Sequence, residues 1–261
     1  MANLQAITKT DFATKTWRRC SDYLFTARDS VCPLTAQELP QAMLSMPIGF
    51  IFTDEIYTLV AVQGLQSDTN FYLSDAGQWL GNYVPAAYRS YPFVLANNEA
   101  EKDQLVLCID DDCGLVTEGS ADEMFFDETG ELSVALAKVF DFLSKVNGNR
   151  ESTVRICKSL QEHNLLKLWD LEIQLETGTQ RVEGLYCIDE AALNSLSDEA
   201  FIELRHAGAL PIVYCQLLSM QHISSLAKVV QTKEKASANA AAPDLNMDSI
   251  TGDGNINYDN L

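Results

Sequence analysis

The chain has 261 residues, with 18 Lys and Arg against 37 Asp and Glu, a formal charge of −19. Such an excess of acid repels nucleic acid and anionic lipid, whose binders need a basic face. Hydrophobic residues reach 47% and aromatics 9%, enough to bury a core and too many for a disordered acidic tail.

The chain opens on Met1-Ala2-Asn3-Leu4, with Lys9, Lys15, Arg18 and Arg19 but no apolar run behind them. That pattern does not read as a secretory signal. The longest apolar stretch in the C-terminal half, Leu210–Cys215, is far short of the ~20 residues that span a bilayer. No transmembrane segment is expected. The cysteines are Cys20, Cys32, Cys108, Cys113, Cys157, Cys187 and Cys215. An odd number at irregular spacing reads as reduced thiols and not as a disulfide framework. A cytoplasmic protein is the expectation; export by a signal-less route is the alternative.

Phe12, Trp17 and Phe25 anchor a mildly basic N-terminal segment. Between Pro33 and Pro47 the spacing predicts a helix over Gln37–Ser45. Ile48–Phe52 and Leu59–Val62 are rich in β-formers and read as two strands of a meander. Phe71–Leu73 continues it, Ser74–Gly77 turns, and Trp79–Tyr83 returns before Pro85 and Pro92 break the pattern. Leu105–Ile109 is a buried strand.

Acidity concentrates next. Residues 97–133 hold twelve acids against Lys102 alone, a net of −11. Leu132, Leu136, Val139, Phe140 and Leu143 recur at helical spacing and predict a helix over Glu131–Val146. Val154, Cys157 and Leu160 mark a second helix that ends near Asn164. Trp169, Leu171, Ile173 and Leu175 alternate with polar residues, Thr177-Gly178 turns, and Val182–Ile188 returns as a late hairpin. Ser197 can cap a helix over Asp198–His206, stopped by Gly208, and Pro211 opens a longer one to about Val230. From Thr232 the composition turns to Ala, Asn, Asp, Ser and Gly, as in a disordered tail. The fold class is α+β: an antiparallel meander with a late hairpin, helices packed on one side, and a C-terminal tail. The domain boundaries expected are 1–231 for one folded unit and 232–261 for the tail.

The motifs of common enzymes are missing. The sequence has no phosphate-cradling P-loop, no strand followed by the dinucleotide glycines, and no nucleophile elbow. His163, His206 and His222 lie in no metal-ligand spacing. No cofactor is expected. Two clusters remain. Asp110-Asp111-Asp112 follows a strand directly, and Asp110 and Asp112 could hold Mg²⁺ or Mn²⁺ through hard oxygen ligands; a solvated acidic turn is the favoured reading. The second cluster is a Pro-shaped crossover dense in rings: Trp79, Tyr83, Tyr88, Arg89, Tyr91 and Phe93. Trp, Tyr and Arg are frequent interface anchors, so Trp79, Tyr83, Tyr88, Arg89 and Tyr91 are the candidate binding residues. The bland reading packs those rings on the core and pairs Arg89 with a carboxylate. In the tail, Asp244, Asn246 and Asp248 begin like a calcium loop, but Ser249 and Asn255 stand where that loop needs Gly and Glu.

These pieces together resemble the SapC family of bacterial proteins. The resemblance is carried by Pro33-Leu34, Ala36-Gln37-Glu38, Met46–Phe50, Gly64-Leu65, Asn70–Tyr72 and Gly77–Pro85. It continues through Tyr91-Pro92-Phe93, Cys108-Ile109-Asp110, Phe126–Glu131, Gly184–Tyr186, Ile188–Glu190 and Leu196–Glu199. It runs from about residue 30 to residue 230. Where the family often has two adjacent basic residues before Tyr-Pro-Phe, this chain has Arg89-Ser90. The family name comes from proteins linked to the bacterial surface layer. Its members resemble frequent companions of outer-membrane receptors, flavin-dependent halogenases and cupin-like oxygenases. The resemblance carries over no catalytic residues. With the missing catalytic motifs and the ring-rich crossover, it points to a non-catalytic accessory factor of a surface-layer or envelope system, binding a peptide or protein partner. The alternatives are a metal-dependent transferase or peptide modifier using Asp110 and Asp112, and a structural surface-layer subunit. A homo-oligomer is compatible with each.

Overall fold

A computed structural model describes residues 3–97, 105–119, 122–175 and 178–241. The strands in chain order are β1 (Leu4–Ala6), β2 (Thr16–Trp17), β3 (Val31–Pro33), β4 (Ile48–Thr53), β5 (Ile56–Val62), β6 (Phe93–Asn97) and β7 (Leu105–Asp110). They continue with β8 (Val116–Thr117), β9 (Glu123–Met124), β10 (Leu166–Leu168), β11 (Leu171–Leu175), β12 (Gly178–Val182) and β13 (Leu185–Ile188). The helices are α1 (Lys9–Phe12), α2 (Leu39–Ala42), α3 (Ala86–Arg89), α4 (Val134–Glu162), α5 (Glu190–Asn194), α6 (Asp198–Ala207), α7 (Leu210–Ser219) and α8 (Ile223–Ala241). The fold is α+β with antiparallel sheets.

The largest sheet runs β10-β13-β4-β5-β3. Its register sets Ile48 against Ala61 and Phe50 against Leu59, so these four share one face. That face packs with Cys157 and Leu160 of α4, Leu204 of α6, and Ile212 and Val213 of α7. The helical layer lies here. The opposite face carries Ile51, Val62, Leu185 and Cys187. Trp169, Ile173 and the first turns of α8, through Leu226 and Val230, cover it. Gly49 opens this face to the Trp169 ring, since a Cβ there would lie 3.2 Å from it.

A second core gathers around the small sheets β1-β7-β6 and β8-β2-β9. Phe12, Trp17, Phe93, Ile109 and Phe125 fill it, together with Leu136 and Leu143. Both leucines belong to α4. This helix of 29 residues, about 43 Å long, packs its first half on the second core and its last turns on the large sheet.

Several expectations change in detail. The two helices expected on either side of Asn147-Gly148 are the single helix α4, because each half has its own apolar seat. The helix expected over Gln37–Ser45 is one 3₁₀ turn, Ala36–Glu38, followed by α2. Phe71–Leu73 and Trp79–Tyr83 form no strand pair; a lone bridge joins Leu73 to Trp79. The late hairpin exists as β11 and β12, with Leu171 opposite Val182. Its return then breaks at Gly184, whose φ is +80°, and β13 leaves to enter the large sheet between β10 and β4. The long helix expected from Pro211 is α7 and α8, separated by a 3₁₀ turn, Met220–His222. The Ser219 hydroxyl there accepts from the Ile48 amide at 2.9 Å, a tertiary bond that holds the bend. At the C-terminus α8 continues past Thr232 to Ala241. The calcium-like Asp244–Asp248 segment lies outside the described residues.

Candidate functional site

The crossover from Gly77 to Phe93 is built in two layers. The inner layer is held by rings and one buried carboxylate. Trp79 stacks on Tyr72 at 5.8 Å and meets Tyr23 and Tyr88 edge-on. Its indole N–H donates to the Tyr83 carbonyl at 2.8 Å, closing the bend before Pro85. Tyr88 is buried, and its hydroxyl lies 3.0 Å from Asp29 Oδ2 and 2.8 Å from Gln63 Oε1. Burial raises the Tyr88 hydroxyl far above its ordinary pKa, and burial also raises the Asp29 carboxyl.

Glu38 is the hub of this layer. It is only 7% exposed. Its Oε2 accepts from the Thr35 amide at 2.8 Å and the Thr35 hydroxyl at 2.9 Å. Its Oε1 accepts from the Tyr83 hydroxyl at 2.9 Å and the Ala86 amide at 2.7 Å. The first pair caps the 3₁₀ turn that Glu38 ends; the second fixes the start of α3. Tyr83 in turn accepts from Arg89 Nη2 at 3.3 Å. A chain of polar contacts thus runs from exposed Arg89 through Tyr83 to the buried carboxylate. Burial, then the Glu38 charge, raises the Tyr83 hydroxyl, so it stays a neutral donor.

The outer layer faces a cavity of about 310 Å³. Arg89, Ser90, Tyr91 and Phe93 form its crossover wall. Trp17, Arg19 and Cys20 close one side, and Ala135, Lys138, Val139 and Phe142 of α4 close the other. The Arg89 guanidinium lies 5.1 Å from the Phe142 ring centre and 5.6 Å from that of Tyr83. Tyr91 stacks on Phe25 at 3.8 Å. Its hydroxyl is pushed up to about 12, first by burial and then by Asp110, Cys113, Cys20 and Asp22. Every charged residue lining the cavity is a cation.

Of the five binding residues expected from the sequence, Arg89 and Tyr91 reach the cavity. Trp79, Tyr83 and Tyr88 form the layer behind them. Trp17, Arg19, Cys20, Lys138 and Phe142 were not among the expected residues. Only the position of Lys138 on an exposed face of a predicted helix hinted at its availability. Asp110 ends β7 beside the crossover, its amide donating to the Pro92 carbonyl at 3.0 Å, and Asp112 follows in the next turn; neither lines the cavity. The Asp110 carboxylate accepts from the Asp112 amide at 3.4 Å and caps a 3₁₀ turn, Asp111–Cys113. Among the described residues, no group of three or more His, Cys, Asp or Glu side chains is placed to hold a metal ion.

Two other cavities carry weaker chemistry. One of about 540 Å³ is lined by Arg181 and Glu183, but Arg181 is already 3.1 Å from Asp170 and 3.7 Å from Glu172. One of about 340 Å³, between β5 and α4, is walled mainly by apolar residues with Asp54 and Arg150 at its rim. No helix of the described residues is long and apolar enough to cross a membrane.

No curated protein and no solved structure matches the chain. The model of the SapC family matches residues 7–226, which takes in both cores, the crossover and the cavity. The chain belongs to the SapC family.

Proposed function

We propose that this chain is a non-catalytic accessory protein of a bacterial surface-layer or envelope system. It acts from the cytoplasm and binds a peptide or protein partner at the cavity beside Arg89 and Tyr91. One observation carries the reading. A strongly acidic chain assembles Arg19, Arg89 and Lys138 around aromatic walls in a single concave site. Arg and aromatic side chains supply most of the energy at protein interfaces. Membership of the SapC family, whose name comes from proteins linked to the bacterial surface layer, supports the envelope part of the proposal.

The test is affinity capture from the producing organism with the full chain, read by quantitative mass spectrometry. Arg89→Ala removes one cavity cation; Arg205→Ala on α6 is the control, away from the cavity lining. A partner enriched by the parent chain and the control, and lost with Arg89→Ala, is the expected result. Equal recovery with Arg89→Ala, in protein of unchanged circular dichroism, refutes binding at this site.

A further inference from the structure

We infer that the cavity selects an acidic peptide segment: one carboxylate sits among Arg89, Lys138 and Arg19, and an adjacent apolar side chain rests on Phe93, Val139 and Phe142. The inference rests on the peptide-binding reading above and names its ligand class. Charge is the first argument. Acids outnumber bases 37 to 18 in the chain, yet the cavity lining holds three bases and no acid. A concave site lined by charge of one sign between apolar walls concentrates the field of such a cluster.

The second argument is donor availability. Lys138 makes no ion pair or hydrogen bond among the described residues. Arg89 commits one N–H to Tyr83, leaving most of its five donors. Arg19 meets Glu123 through Nε at 2.7 Å, with the arginine side chain 73% exposed. So exposed a pair holds weakly, and the outer edge of the guanidinium remains open to a second carboxylate. Guanidinium forks match carboxylate oxygens in geometry as well as charge.

The third argument is position. Asp22 and Asp110 lie near Tyr91. Neither acid lines the cavity, whereas Lys138 does, from α4. Tyr91 keeps its proton and can donate to the ligand. The volume, about 310 Å³, lies at the small end of ligand pockets. It takes an acidic side chain with an aromatic neighbour, and it does not take a folded surface.

The test uses the full chain, isotope-labelled, and follows the indole N–H resonance of Trp17, assigned with Trp17→Phe. The probe is the blocked tetrapeptide acetyl-Gly-Glu-Phe-Gly-amide, titrated to millimolar concentration; its Gln analogue is the control. A saturable shift with the Glu peptide is expected. Binding should weaken roughly tenfold with the Gln analogue and roughly tenfold with Lys138→Ala, the loss of one charge-assisted hydrogen bond. Added salt should weaken it further. Equal binding of both peptides, or no shift with either, overturns the acidic-segment proposal. Phenylacetate binding as tightly as the peptide overturns it too, in favour of a small-molecule site. Partner capture separates the two levels. If Arg89→Ala abolishes capture while both peptides fail, the accessory reading stands and only the ligand class falls. If capture ignores Arg89→Ala, the accessory reading at this cavity falls with it.

Discussion

Glu38→Gln tests whether one buried carboxylate holds the crossover in place. Glutamine keeps the volume but offers one oxygen and one NH₂ where the carboxylate offers two oxygens. In either orientation the NH₂ faces one hydroxyl and one backbone N–H: Thr35 Oγ1 with the Thr35 amide, or the Tyr83 hydroxyl with the Ala86 amide. The hydroxyl adapts by accepting instead of donating. The backbone N–H cannot, so one buried donor is orphaned. That costs about 1–3 kcal/mol, and the two surviving bonds lose their charge assistance. A loss of about 3 kcal/mol follows, out of a total stability of order 5–15 kcal/mol. Glu38→Ala strands all four donors and should cost more. Urea denaturation gives the measurement. With a slope of about 2–3 kcal/mol per molar, the midpoint of Glu38→Gln should fall by about 1 M at unchanged slope. A fall below about 0.2 M, or equal losses for Gln and Ala, refutes the four-donor reasoning. Because Arg89 reaches Glu38 through Tyr83, the same variant should also weaken peptide binding at the cavity.

Three further outcomes follow from the geometry. Burial pushes the Cys32 and Cys157 thiols up to about 12, so neither should alkylate in native protein at mildly alkaline pH, while half-exposed Cys20 should; peptide mass spectrometry before and after urea reads this, and native labelling of Cys157 refutes it. The Asp189 carboxyl is held below its ordinary value, chiefly by the Lys167 hydrogen bond and also by the α5 amides of Ala191 and Ala192. Its stabilisation is therefore complete above the unfolded-state value and is lost as pH falls through the folded-state value, below pH ~4. Asp189→Asn should flatten that part of an acid-unfolding curve and leave the neutral-to-alkaline limb unchanged. At Gly64 a Cβ would lie 2.0 Å from the Thr69 carbonyl oxygen, so Gly64→Ala must shift backbone; a loss of about 2 kcal/mol is expected, and a parental melting temperature shows that the loop yields freely.

Local chemistry made some of this fold legible and long-range contacts hid the rest. The α6 boundaries were readable because both signals are local. Ser197 accepts from the Ala200 amide at 3.2 Å, and Gly208 takes φ +74° at the C-terminal stop. The central pair β4 and β5 was readable from β-forming runs around a polar turn. Helix α4 was not, because Asn147-Gly148-Asn149 carries the composition of a break, and a helical Gly costs about 1 kcal/mol. Contacts on two separate cores outweigh that cost. The bend between α7 and α8 was equally hidden, since it depends on Ile48 and Met43, more than 170 positions away: Ile48 binds Ser219, and the Met43 carbonyl lies 3.0 Å from His222 Nε2. Residues alone marked the crossover as unusual. They did not show which of its rings turn inward to Glu38 and which side chains turn outward to the cavity.

Charge followed the same rule. A linear reading gives a mildly basic start and an acidic block over residues 97–133 with net −11. Among the described residues, three ion pairs join the two segments. Strand β2 lies between β8 and β9, which puts Arg19 on Glu123 and Arg18 3.9 Å from Asp122; separately, Lys9 of α1 lies 3.7 Å from Glu131. The acidic block is therefore partly matched by a segment about a hundred residues earlier. That pairing locates the candidate site. Arg89 and Lys138 lie on other elements and join no such pair, and the fold sets them beside the outer edge of Arg19. A cationic cavity on a chain of charge −19 is a product of topology. Charge variants at Arg89 or Lys138 should consequently change binding with little effect on stability, and those at Glu123 should loosen the β2–β9 pairing as well.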